Sequence, residues 1–274
     1  MLNEPNVLQG IEKYGLGSLA KLRVFPVDPS LLPKEDKPDI DIKAYLYPKD
    51  HECPVCKETF SANLVRVSKI RLDHLDFDLR PVYAPVDPLL YDVIVCPVCG
   101  HAAIKDRFFD ITERQAEWVI EKMKPHYKPV KYPDQLTVDM AIERYKLALV
   151  NAVVKRAKDG EKAYICMKLC WLYRIKGDKQ NEMLFAAQTY TGFSAAYTNE
   201  YPPIMGLKAD TLMFLLAAYA KLFKKYEDSL RYLNQLLFSS TASDRLKERG
   251  KDLKHEISQE KQEDGAETSS DTEK

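Results

Sequence analysis

Cys53-Pro-Val-Cys56-Lys57 and Cys96-Pro-Val-Cys99-Gly100 are two nearly identical knuckles in one chain. A C-x-x-C turn aims two sulfurs at one point and lets the following backbone N–H groups donate to the thiolates. Two such turns brought together supply four ligands at about 2.3 Å from one tetrahedral ion. Cys53, Cys56, Cys96 and Cys99 are therefore the expected metal ligands. With a thiolate in every position none is left for water, so the expected metal is structural rather than catalytic. Zn2+ is the expected occupant. Iron in a rubredoxin-like site is the alternative, because C-P-x-C-G is also that fold's knuckle. Gly100 suits the left-handed backbone needed just after a knuckle, whereas Lys57 must adopt it at some cost. His51 and His101 flank the knuckles and read as supporting or surface groups, not ligands.

Thirty-nine residues separate Cys56 from Cys96, more than an ordinary ribbon spacing. Loop-closure entropy grows only logarithmically, so the long insert weakens the metal reading little. A disulfide pairing is disfavoured in a cytoplasmic chain, and a thioredoxin-like role needs a βαβ pattern that neither pair has. Outward from the knuckles, residues 40–47 alternate enough for a strand. Residues 64–72 are rich in β-branched side chains with one slip at Ser68-Lys69, which suggests a bulge. Tyr91-Asp-Val-Ile-Val-Cys96 reads as a third strand. Together they predict a small antiparallel zinc-ribbon-like module over residues 40–110, too small to be stable without its metal.

From Thr112 the period changes to that of a helix. Thr112-Glu-Arg-Gln115 is a capping box, and the helix it opens ends before Pro125. Further helices are expected over residues 138–158, stopped by Gly160, and 162–176, capped by Gly177. Others follow over residues 179–200, ended by Pro202-Pro203, then 208–223, 226–238 and 244–257. Cys166 and Cys170 fall on one apolar helix face and read as packing residues. Aligning Gly177 with Lys224, an offset of 47, superposes Leu169 on Leu216 and Cys170 on Ala217. That pattern of large residue, small residue and turn resembles an irregular tetratricopeptide pair. The fold class is thus α+β and mainly α, with residues 111–257 as a tetratricopeptide-like antiparallel array. Residues 1–39 form an extension with a short amphipathic helix around Leu16, Leu19 and Leu22. Its Gly15-Leu-Gly17-Ser-Leu-Ala20 lacks the strand a dinucleotide fingerprint requires. Residues 258–274, with six acidic and two basic side chains, read as a disordered tail.

Composition removes several functions. Lys+Arg and Asp+Glu tie at 41 each, so the whole chain has no electrostatic case for nucleic acid or anionic membrane. The longest apolar run, at residues 212–220, is far short of the ~20 residues that span a bilayer. No signal peptide is visible at the start, and a cytoplasmic protein is expected.

The two knuckles, Val65-Arg-Val-Ser-Lys-Ile-Arg71, and Pro88-Leu-Leu-Tyr-Asp-Val-Ile-Val-Cys96 running on to Ala103 resemble a bacterial family, domain of unknown function 2225. Ala141-Ile-Glu-Arg-Tyr-Lys-Leu-Ala-Leu149, Leu169-Cys-Trp-Leu-Tyr-Arg174 and Tyr226-Glu-Asp-Ser-Leu-Arg-Tyr232 continue the likeness over about residues 46–257. The resemblance implies a metal-binding module followed by tetratricopeptide-like helices, and no established activity. Where the family tends to carry Gly-Glu-Leu-x-Arg-Arg before the repeat turn, this chain has Ala217-Ala-Tyr-Ala-Lys-Leu222.

Three function classes compete. Nucleic-acid binding needs a clustered positive face, but residues 51–110 carry seven basic and nine acidic side chains, and a zinc tetrathiolate adds −2. An enzyme would rest on Asp73, His74, Asp76 and Asp78, with Asp92 as a further candidate. These read better as a solvated acidic loop, and no P-loop, H-E-x-x-H or G-x-S-x-G is present. A non-enzymatic scaffold is the favoured reading, with a protein or peptide partner bound on the helical array. Tyr190, Phe193, Tyr197, Tyr201, Phe214 and Tyr219 are candidates to line that surface, although most are expected in the core.

Overall fold

Six short strands precede seven helices in the computed structural model, which describes residues 41–270, with side chains through residue 262. The expectations for residues 1–40 and 271–274 lie outside the described residues. The strands form three separate antiparallel pairs rather than one module sheet. β1 (Leu46–Glu52) pairs with β2 (Thr59–Val65) around the first knuckle, from Leu46 opposite Val65 to Glu52 opposite Thr59. β3 (Arg71–Leu75) pairs with β4 (Pro81–Ala84), with a register shift between Leu72 and His74. β5 (Val93–Val95) pairs with β6 (Ala102–Ile104) around the second knuckle. The strand expected over residues 64–72 is in fact two. Val67–Lys69 forms a 3-10 turn where a bulge was expected, so residues before it join one hairpin and residues after it the next. The strand expected over 40–47 likewise begins only at Leu46, after a 3-10 turn at Ile42–Tyr45.

The helices follow the expected order. α1 (Glu113–Lys122) opens with both bonds of the Thr112/Gln115 capping box. α2 (Val138–Val154), α3 (Asp159–Lys176), α4 (Lys179–Asn199), α5 (Ala209–Leu222), α6 (Tyr226–Phe238) and α7 (Asp244–Ser270) complete the set. Gly160 is no stop for α2. It lies in the first turn of α3, where an added Cβ would collide with Ile204 and where its N–H donates to Glu200 at 2.9 Å. α2 ends instead at Val154, and the turn that follows it is closed by Arg156, whose φ is +52°. The same turn recurs at Gly177 (φ +78°) and Lys224 (φ +55°). At each, the left-handed residue's N–H donates three residues back, and the next N–H donates five back, the bonding of a Schellman cap. The Gly177 and Lys224 turns stand 47 residues apart with matching bonds, so the α3–α4 and α5–α6 pairs are joined alike.

α7 continues past Ile257 to Ser270, so residues 258–270, expected as disordered tail, are helical. Leu253 and Ile257 are buried, Glu256 and Glu260 both reach Lys221 (2.7 and 2.9 Å), and no breaker intervenes before Gly265.

The β5–β6 hairpin shares the core of the helices. Val93, Ala102 and Ile104 pack in the same apolar cluster as Ala141, Tyr145 and Ala148 of α2 and the interior of α3 and α5. Residues 41–270 accordingly belong to one compact unit. The firmest link is the tip of the β3–β4 hairpin. Asp78 is fully buried; its carboxylate accepts from Arg174 Nη1 and Nη2 (3.0 and 2.7 Å), Trp171 Nε1 (2.9 Å) and Tyr219 Oη (3.0 Å). Arg249 of α7 donates to the carbonyls of Leu75 and Asp76, and Phe77 lies under the Arg174 guanidinium. The acidic segment read as a solvated loop is therefore a plug gripped by α3, α5 and α7.

Asp78→Ala should lower the unfolding free energy by about 3–5 kcal/mol, because it leaves Arg174, Trp171 and Tyr219 short of a buried partner. Urea unfolding followed by helical circular dichroism measures this, and the variant should still unfold in a single transition.

Candidate metal centre

Each knuckle is the turn of a hairpin, so local pairing alone orients its two sulfurs. Lys57 N–H donates to the Cys53 carbonyl (2.9 Å) and Cys53 N–H to the Glu58 carbonyl (2.9 Å). Gly100 N–H to Cys96 (3.1 Å) and Cys96 N–H to His101 (2.8 Å) repeat the pattern. Both left-handed positions are filled as expected, Lys57 at φ +65° and Gly100 at φ +75°. At Gly100 a side chain is excluded twice over, since a Cβ there would come within 2.6 Å of the Tyr127 ring.

The structure brings all four predicted ligands together. Their sulfurs lie within 4.8 Å of one another, with Cys53 to Cys99 and Cys56 to Cys96 both at 3.6 Å. A tetrahedron with metal–sulfur bonds of about 2.3 Å has edges of about 3.8 Å. These separations fit it, and they are far too long for the ~2.05 Å of a disulfide. Cys53, Cys96 and Cys99 are buried and Cys56 half-buried. Val119 of α1 and Met123 at its C-terminal cap pack on them, and Asn151 of α2 donates to the Gly100 carbonyl at 3.0 Å.

Electrostatics also ask for a cation here. Without one, hydrogen bonds from Cys53 and Cys99 favour a thiolate at Cys96, holding it far below the ordinary thiol range. The bond to Cys96 then pushes Cys53 up to about 12, and Cys99 is pushed up by its bonds to Cys53 and Cys96. Were all four deprotonated, sulfurs at this spacing would repel strongly unless a positive ion lay between them. Among the described residues this is the one cluster of His, Cys, Asp or Glu with metal-ligand geometry.

Neither flanking histidine is a ligand. Both are buried, and burial lowers their pKa, so they are neutral. His101 Nε2 lies 3.0 Å from the Phe108 carbonyl, and His51 sits among Phe60, Phe108 and Phe109. Cys166 and Cys170 are buried packing residues, their thiols pushed by burial to about 11 and about 12.

Of the candidate catalytic residues, Asp73, His74, Asp76 and Asp78 lie together, His74 between Asp73 and Asp76 and Arg174 between Asp76 and Asp78, whereas Asp92 pairs with other side chains. Asp73 is two-thirds exposed and touches His74 (2.8 Å). Asp76 is divided among His74, Arg80 and Arg174, Asp78 is the buried plug, and Asp92 faces Lys105 and Lys168. Sequence reasoning missed the partners of Asp78, which come from helices 93 and more residues away.

Gly100→Ala should destabilise the protein by about 1–3 kcal/mol through backbone strain and the clash with Tyr127, and should speed loss of metal to a chelator. Lys57→Gly, relieving a left-handed lysine, should be neutral or stabilising by up to about 1 kcal/mol. Thermal melts and thiol release to a colorimetric reagent measure both.

No curated protein and no solved structure matches the chain. Residues 46–257 match the family described as "Uncharacterized protein conserved in bacteria (DUF2225)". The match opens at β1, takes in both knuckles and the Asp78 hairpin, and ends at the buried Ile257 of α7, so the chain belongs to that bacterial family.

Proposed function

We propose that this protein is a cytoplasmic, non-enzymatic scaffold. Its helices work as a tetratricopeptide-like array that holds a protein or peptide partner, and its four cysteines bind one structural Zn2+. The observation that carries this reading is the grip on the β3–β4 tip. Trp171, Arg174 and Tyr219 already converge on one aspartate of a polypeptide hairpin, which is how a helical-repeat surface takes a peptide. The matching turns at Gly177 and Lys224 support the repeat assignment. Phe193, Phe214 and Tyr219 belong to the core, whereas Tyr201 is almost fully exposed and Met183 and Leu184 of α4 are partly so; these last three are available to a partner. Four thiolates and no open coordination position support a structural role for the metal. The engagement of Asp76 and Asp78 in ion pairs supports a non-enzymatic role for that segment.

Elemental analysis of purified protein should return one zinc per chain, and a visible iron–thiolate absorption band would overturn the choice of zinc. For the scaffold, affinity capture from the native cell should retain a defined protein. Leu184→Glu combined with Tyr201→Glu should release it without altering the circular dichroism. Equal capture by the variant would reject this surface.

A further inference from the structure

Buried cations in this protein have acidic partners, with one exception. Among the described residues Arg80 meets Asp76 and Asp87 (3.2 and 3.0 Å), and Lys155 meets Glu161 (2.7 Å). Arg144 of α2 is 8% exposed, and no described carboxylate pairs with it. Its Nη2 donates to the Val93 carbonyl, while its Nε is buried without a hydrogen-bond partner. The guanidinium stands 5.6 Å from the centre of the Tyr132 ring. Burial lowers its pKa, and what opposes that comes from Tyr132, Tyr145 and Tyr91, not from an acid. A guanidinium keeps its proton in a protein, so the charge persists, and an uncompensated buried charge is among the least favourable features a fold can hold.

Arg144 lines a cleft of about 470 Å³ between the first hairpin and residues 130–136. Phe60, Val95, Pro97, Val130 and Pro133 give it apolar walls. At its rim Lys131 and Asp134 balance in charge, and Asp134 is already bonded to Asn63 at 2.9 Å. One positive charge is thus left over in a cleft with apolar walls. That matches a ligand with a single negative charge and an apolar body better than a doubly charged phosphate. We propose that this cleft binds an organic monocarboxylate, its carboxylate on Arg144 and its apolar body against the Val95 and Val130 walls. The carboxylate belongs either to a small free acid or to the C-terminus of a polypeptide. The inference does not rest on the scaffold reading.

The test is titration of the full-length protein with N-acetyl-phenylalanine, followed by calorimetry and amide NMR. Saturable binding of one acid per chain is expected, with N-acetyl-phenylalanine amide at least tenfold weaker and inorganic phosphate failing to compete. Arg144→Met should lose at least tenfold in affinity. Should that variant not fold, shifts at residues 130–136 produced in the wild type by the acid and not by the amide decide the matter equally. Equal binding of acid and amide, no binding of either, competition by phosphate, or unchanged binding by a folded Arg144→Met would each overturn the proposal. A peptide ending in phenylalanine with a free carboxylate separates the sources. At least tenfold tighter binding than the acetylated amino acid identifies a polypeptide C-terminus, and equal affinity a free acid.

Discussion

Four sulfurs held within 4.8 Å of one another constrain the two hairpins that carry them, β1–β2 and β5–β6. Thiolates at that distance repel strongly unless a cation lies between them, so a metal ion bound there would join the two hairpins by charge as well as by packing. Neither hairpin could stand alone: β5 and β6 are three residues each, and β1–β2 buries little beyond Leu46, His51 and Val65. Their turns supply the sulfurs, and α1 with its C-terminal cap, laid over Cys53, Cys96 and Cys99 through Val119 and Met123, keeps water away.

The second fixed point is Asp78. A buried carboxylate is stabilising only when its charge and lone pairs are fully met, and here a two-pronged guanidinium, an indole and a phenol meet them. This ties the β3–β4 hairpin to the helices within one compact unit although their sequence periodicities differ. It also shows what kind of surface α3, α5 and α7 present: aromatic donors around a central arginine, suited to an acidic turn.

Features governed by local chemistry were legible in the sequence. The knuckles, the Thr112/Gln115 box, the Gly177 cap and the order of the helices depend on residues within a turn of one another. Three kinds of feature were not. Left-handed turns at Arg156 and Lys224 carry no glycine; the two backbone hydrogen bonds that close each helix hold a conformation that an exposed side chain tolerates at a cost of roughly 1–2 kcal/mol. Gly160 looked like a terminator because the sequence does not show Ile204 pressing on it. The roles of Asp78 and Arg144 depend on partners, or the lack of them, far away along the chain, which no local pattern encodes. The 64–72 stretch failed for a related reason: its β-branched residues favour extension throughout, and only pairing reveals that two hairpins divide it.

The ligand pairs sit at hairpin turns while the 39-residue stretch joining them is pinned midway by Asp78. Closing a longer loop costs only about 0.6 kcal/mol per doubling of its length. Relatives are thus free to drift in length on either side of the plug without disturbing metal geometry, whereas the tip itself, fitted between three helices, has no such latitude. Insertions and deletions across the family should therefore gather in the flanks of this segment and spare the aspartate at its apex.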